Sequence, residues 1–120
     1  DIIFTGRVQE TELYKITASA YALTYIPIFE GFGIPLVEAM SCGVPVITSN
    51  VTSMPEVVES AGILVDPFSV QEITDALVKI SENSYYKNQL SEKSLIQAKK
   101  FSWQKTGGLL WESINKTINA

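Results

Sequence analysis

The chain has 120 residues, 46% hydrophobic and 18% charged, with nine basic and thirteen acidic side chains and no histidine. This size and apolar content indicate one globular domain, and no apolar run reaches the roughly 18 residues that a membrane-spanning helix needs. The absence of histidine excludes a Ser-His-Asp triad, the single cysteine excludes an internal disulfide, and the net charge of −4 argues against nucleic-acid binding.

Four short apolar segments have the composition of β-strands, because they are rich in β-branched or aromatic residues and are bounded by turn-forming residues. These segments are residues 2–6, 20–26, 45–49 and 62–66. Helical patterns lie between them, at about 10–18, 34–42 and 54–59. Strands that alternate with helices, without strict polar alternation of their own, predict a Rossmann-like α/β fold whose three layers are a parallel sheet and helices on both its faces.

Only helices are predicted after residue 66. Ser69 and Glu72 form a capping box, in which each side chain can accept a hydrogen bond from a free amide at a helix start. The apolar residues that follow at helical spacing, which we expect to face the sheet, are Val70, Ile73, Leu77 and Ile80. A second helix is predicted at about 85–100. A third begins after Ser102, and its expected packing residues are Trp103, Leu110 and Ile114.

The segment with the most chemical content is residues 29–43, FEGFGIPLVEAMSCG, which follows a predicted strand, turns through two glycines and enters a helix. Gly31 and Gly33 let the backbone approach a ligand, and the free amides of a helix start favour an anion. Open α/β sheets bind ligands at the carboxyl ends of their strands. The pattern therefore predicts a ligand site here, beside a helix that buries Cys42 and ends at Gly43.

Two glutamates, Glu30 and Glu38, stand on either side of this glycine turn. A carboxylate can accept hydrogen bonds from two neighbouring hydroxyls, which suits it to ribose or another sugar. The spacing alone leaves a structural role open, since Glu38 near a helix start is favourable in any protein and Glu30 could cap the turn. We expect the helix-start amides and both carboxylates to converge on one polar pocket.

The segment EGFGIPLVEAMSCGVPVITSN resembles the signature of the group 1 retaining glycosyltransferases of GT-B architecture, which include glycogen synthase and sucrose synthase. The hallmark of that signature is two glutamates separated by seven residues, which Glu30 and Glu38 match. Further matches lie in order along the chain, at residues 4–6, 12–14, 53–57, 61–67 and 101–103. The departures are small: Phe29 stands where tyrosine is common, and Ile34 where leucine is common.

The resemblance implies that residues 1–120 form one incomplete nucleotide-sugar-binding domain, from the C-terminal half of an enzyme that transfers a sugar to an acceptor with retention. Glu38 would hold the ribose hydroxyls, and Glu30 would act on the donor sugar as a catalytic charge stabiliser. Arg7 and Val8 would lie by the nucleobase. The residues whose backbone amides would line the sugar and the diphosphate are Gly31, Phe32, Gly33, Ile34 and Leu36. No metal and no cofactor besides the donor is implied.

The resemblance also places the acceptor domain, the first strands of the donor domain and a basic pair for the diphosphate upstream of Asp1. Residues 1–78 hold ten acidic side chains and only two bases, a formal charge of −8, so we expect weak or no donor binding by this chain alone. We also expect residues 2–6 to pair with residues 20–26. Otherwise the open sheet edge would pair with another chain, giving a homodimer.

Two other functions stay open at this point: a nucleotide-sugar epimerase of the same architecture, and a non-catalytic half-domain that binds or assembles. A product whose sugar ring is altered at one carbon would indicate an epimerase. Activity after restoring the upstream sequence would exclude a half-domain that only binds or assembles. We expect a cytoplasmic protein, because one cysteine fits a reducing compartment. Peripheral membrane association of the full-length protein is left open.

Overall fold

A computed structural model describes residues 2–119, which form three strands and six helices. The strands are β1 (Leu23–Tyr25), β2 (Val46–Ser49) and β3 (Gly62–Val65). The helices are α1 (Glu10–Ser19), α2 (Ile34–Ser41), α3 (Met54–Val58), α4 (Val70–Glu82), α5 (Ser84–Ala98) and α6 (Trp103–Ile118).

The sheet is parallel, and its spatial order β1-β2-β3 follows the chain. In the register, Val46 lies between Leu23 on one side and Gly62 on the other. All four residues of β2 are buried, as expected for a central strand that helices cover on both faces. The predicted parallel α/β architecture is therefore confirmed.

Alternate residues of β2 enter two separate cores, one on each face of the sheet, because successive side chains of a strand point to opposite faces. Val46 packs with Leu36 and Met40 of α2 and with side chains of α3. On the other face, Ile47 packs with side chains of α4 and α5. The helix α5 contributes to both cores, since Leu90 belongs to the second and Ala98 to the first.

The prediction of a strand at residues 2–6 is wrong. This segment has no strand structure, and Ile2, Ile3 and Phe4 are each more than 80% exposed. The physical reason lies in α1, which has no buried residue and so does not pack the segment against β1. Direct pairing of residues 2–6 with β1 is therefore excluded in this structure, whereas pairing of the open edge with another chain stays a prediction.

Three helix starts are capped by the side chain that precedes them. Ser69 accepts a hydrogen bond from the Glu72 amide at 3.2 Å, Asn83 caps α5, and Ser102 caps α6. The predicted capping box is only half formed, because the Glu72 carboxylate accepts from the Asp66 amide at 2.8 Å and not from Ser69. This contact ties the end of β3 to the start of α4.

The predicted apolar face of α4 is partly wrong. Val70 is 77% exposed and Leu77 is 42% exposed, whereas Ile73 and Ile80 pack on the sheet as expected. Ala76 completes the packed face, because it lies between them at helical spacing.

The expected packing of α6 on the sheet is also wrong. None of its residues is buried, and the exposed fractions of Trp103, Leu110 and Ile114 are 78%, 60% and 39%. The helices α2 to α5 already cover both faces of the small sheet, so no face is left for α6. Among the described residues, no helix is long and apolar enough to cross a bilayer.

Candidate functional site

The glycine loop, residues 30–33, lies between β1 and α2 at the carboxyl end of the sheet. Gly33 caps α2 with φ = 90°, a backbone conformation that strains residues with a side chain. A Cβ on Gly33 would also lie 2.9 Å from the Met54 Cε atom. At Gly31, by contrast, a Cβ would meet no atom within 4 Å, so the space beside it is open to a ligand.

The Glu30 carboxylate is held at both of its oxygens. The Tyr25 hydroxyl donates a hydrogen bond to Oε2 at 2.6 Å, and the Gly31 amide donates to Oε1 at 3.1 Å. The Tyr25 hydrogen bond is the largest influence on the pKa of Glu30 and lowers it. The amides of Gly31 and Phe32 act in the same direction, against an opposing effect of burial. Glu30 is therefore an ionised carboxylate at neutral pH.

Two further contacts, both from distant parts of the chain, fix the glycine loop. The Ser53 hydroxyl, just before α3, donates to the Glu30 carbonyl oxygen at 3.0 Å. The ring of Phe32 packs edge-on against Phe101, between α5 and α6, with ring centroids 5.6 Å apart. Phe101 packs in turn on the core beneath α2. The loop is thus held by the connection between β2 and α3, by the connection between α5 and α6, and by Tyr25 of β1.

Glu38 lies on the exposed face of α2. Ile34, one turn earlier, is exposed on the same face, while Leu36 and Met40 point into the core. Tyr14 of α1 lies near Glu38. The hydrogen bond that Tyr14 donates to Glu10 raises the pKa of the Tyr14 hydroxyl, and the charge of Glu38 adds a smaller contribution. Glu38 is exposed and its side chain makes no hydrogen bond among the described residues, so it is accessible to solvent or a ligand.

The structure joins some of the predicted site residues and leaves others apart. Glu30 contacts the glycine-loop amides, whereas among residues 2–119 no hydrogen bond joins Arg7, Val8 or Glu38 to that loop. Arg7 is exposed and Val8 half-buried, ahead of α1. A groove of about 320 Å³ lies beside Phe32, but neither Glu30 nor Glu38 lines it. Convergence of both carboxylates on one pocket stays a prediction.

Comparison with known proteins identifies the family. The family described as "Glycosyl transferases group 1" matches residues 1–97 of the chain. The chain belongs to the group 1 glycosyl transferases. The predicted membership is therefore confirmed, and the match includes the glycine loop and α2.

Named relatives of this group 1 chain include two bacterial mannosyltransferases. O-antigen chain mannosyltransferase B of Escherichia coli is 42% identical over 119 residues, which cover 99% of this chain and 29% of that protein. The MMP alpha-(1->4)-mannosyltransferase of Mycolicibacterium hassiacum is 34% identical over 109 residues, covering 87% of this chain and 26% of that protein. The chain thus spans under a third of the length of these relatives.

A solved structure supports the fold of the group 1 chain. Sucrose-phosphate synthase from Thermosynechococcus elongatus matches 96% of this chain and 30% of its own length, with a TM-score of 0.80. At 24% sequence identity, this likeness shows a shared fold alone. The three-layer α/β domain described above is therefore the fold of part of a known GT-B enzyme.

Several contact residues of the glycine loop were not predicted from the sequence of the group 1 chain. Tyr25 and Ser53 stand 5 and 23 positions from Glu30 in the sequence, and Phe101 lies much farther along the chain than its partner Phe32. Only folding brings these three residues to the loop. A tyrosine inside the apolar segment 20–26, shortly before a glutamate, was the one available signal.

The expected burial of Cys42 is wrong, because Ala39 and Met40 occupy the buried positions of α2 and leave Cys42 exposed.

Two hydroxyls of β2, those of Thr48 and Ser49, are fully buried and have no hydrogen-bond partner. Thr48 lies opposite Tyr25 in the sheet register, so one of them is next to the tyrosine that holds Glu30.

Within residues 2–119, no cluster of three histidine, cysteine or acidic side chains could hold a metal ion.

Proposed function

We propose that the protein containing this chain transfers a sugar from a nucleotide-sugar donor to an acceptor, with retention at the anomeric carbon. The observation that carries the proposal is the ionised Glu30 carboxylate in an ordered glycine loop at the start of α2, in a chain of the group 1 family. The relatives named as mannosyltransferases favour transfer over epimerisation or binding alone, and they favour mannose as the transferred sugar.

The proposed roles follow from charge and position. A departing diphosphate gathers negative charge, which the free amides and the dipole at the start of α2 stabilise. The sugar that it leaves gains positive charge, which the fixed carboxylate of Glu30 stabilises. Glu38, on the exposed face of α2, would bind the ribose hydroxyls. Arg7 and Val8 would lie by the nucleobase. We also propose that residues 1–120 belong to one donor-binding domain, that no cofactor is needed besides the nucleotide-sugar donor, and that the protein is cytoplasmic.

The first test addresses Glu38. In the full-length protein, Glu38→Gln should weaken binding of the nucleotide-sugar by about 10-fold, because the amide is a poorer acceptor for the two ribose hydroxyls than a carboxylate. The measurement is a calorimetric titration with several nucleotide-sugars. Glu92→Gln, at an exposed position of α5, is the matched control and should bind as the wild type does. A wild-type protein that binds no nucleotide-sugar would overturn the proposed function.

The second test concerns the 120-residue chain by itself. We expect a dissociation constant for any nucleotide-sugar weaker than about 1 mM, because residues 1–78 carry a formal charge of −8 and contain Arg7 and Lys15 as their only bases. The same titration, with the full-length protein run in parallel, provides the comparison. Micromolar affinity of the chain alone would contradict the expectation.

A further inference from the structure

We propose that Tyr25 is a positioning residue, which orients the Glu30 carboxylate toward the donor sugar through the hydrogen bond between their side chains. The inference depends on the proposed function for the sugar, and it adds a residue outside the signature segment that begins at Glu30. The distance from the Tyr25 hydroxyl to Glu30 Oε2 is 2.6 Å, which is a short hydrogen bond to a charged acceptor.

The hydrogen bonds leave one side of the carboxylate available. A carboxylate can accept about four hydrogen bonds, and here Oε2 accepts one from Tyr25 while Oε1 accepts one from the Gly31 amide. Two donors on two oxygens fix the plane of the carboxylate and still leave lone pairs for sugar hydroxyls. Without Tyr25, only the backbone amides of the same loop would restrain that plane.

Tyr25 is itself held rigidly. It is the last residue of β1, it lies opposite Thr48 of the fully buried strand β2, and its ring packs on the core beneath α2. A side chain fixed by the sheet and the core has few alternative rotamers, so its hydroxyl defines one position for Oε2. The position of Tyr25 in the sheet therefore fixes the position of the Glu30 carboxylate in the loop.

Electrostatics agree with this arrangement. The groups that act on the pKa of Glu30 are the Tyr25 hydroxyl and the amides of Gly31 and Phe32, while Ser53 contacts Glu30 only at its backbone carbonyl. The same hydrogen bond raises the pKa of Tyr25, so the tyrosine keeps the proton that it donates. Loss of the tyrosine hydroxyl should therefore raise the pKa of Glu30.

A double-mutant cycle in the full-length protein tests the inference. Tyr25→Phe should lower kcat for sugar transfer about 10-fold, with little change in the KM of the donor. In a Glu30→Gln background the same change should lower kcat less than twofold, because Tyr25 acts through the Glu30 charge. Tyr21→Phe is the matched control: its hydroxyl contacts the Ile80 carbonyl, away from the loop, and its kcat should be unchanged.

A second readout does not require activity. The pKa of Glu30, followed by NMR of the labelled side-chain carboxyl carbon, should rise in Tyr25→Phe and stay unchanged in Tyr21→Phe. An unchanged pKa, or an equal loss of kcat in the wild-type and Glu30→Gln backgrounds, would overturn the role of Tyr25. A raised pKa in a protein that transfers no sugar from any donor would overturn the proposed function and leave the control of Glu30 by Tyr25 supported.

Discussion

Replacing Glu30 with glutamine should lower kcat of the full-length protein about 100-fold, while the KM of the nucleotide-sugar changes little. The carboxylate is ionised and fixed at both oxygens before the donor arrives, so its charge acts on the positive charge that develops in the transition state. Glutamine has nearly the same shape and can still accept a hydrogen bond from Tyr25. The change therefore removes the charge more than it alters the structure. The measurement is steady-state kinetics with the donor that binds most tightly.

Glu12→Gln provides the control, because Glu12 is an exposed residue of α1 with no side-chain hydrogen bond among the described residues. Its kinetics should match those of the wild type. A Glu30→Gln variant with full kcat would show that the fixed carboxylate has only a structural role in the loop. A rise in KM at constant kcat would instead assign Glu30 to ground-state binding of the donor.

Replacing Gly62 with alanine should lower the free energy of unfolding of the chain by about 2 kcal/mol. A Cβ at this position would lie 2.8 Å from the Val46 Cγ2 atom and 3.1 Å from the Val46 carbonyl oxygen. Val46 is in the central strand and Val58 lies 3.2 Å away on the other side, and both are fully buried. Because both valines are fully buried, the added methyl group must displace a residue that is packed in the core. Urea denaturation measures the difference.

Gly107→Ala is the control for this substitution. A Cβ on Gly107 would meet no atom within 4 Å, and the residue lies inside the exposed helix α6, where alanine is about 1 kcal/mol more favourable than glycine. The control should therefore raise the urea midpoint. Equal midpoints for Gly62→Ala and the wild type would show that β2 and β3 can separate without cost, contrary to the close approach seen here.

Residues with strong local signals were predicted well from the sequence. Gly43 follows α2 with a positive φ, as its position just past an apolar run indicated, and Gly33 precedes α2 at the end of the predicted glycine turn. The caps Ser69 and Ser102 begin α4 and α6 where expected. These features depend on neighbours within a few residues, so local sequence contains the physical information that determines them.

Predictions that required distant contacts were less successful. Residues 2–6 have the composition of a strand but no partner in this structure, and α6 has an apolar side but no face of the sheet to cover. In both cases composition predicts what a segment can do, whereas pairing and burial depend on which surfaces the rest of the chain leaves open.

The amino-acid sequence by itself determined the α/β class, the parallel sheet, the group 1 family and the place of two glycines between Glu30 and Glu38. Only the tertiary structure decided how the glycine loop is held. Tyr25 reaches it from β1, and Ser53 and Phe101 reach it from two separate connections. Their distances to the loop are set by the register of the sheet and by packing beneath α2. Hydrogen bonds and ring contacts act over a few ångströms, so only the folded chain establishes which residues orient the Glu30 carboxylate.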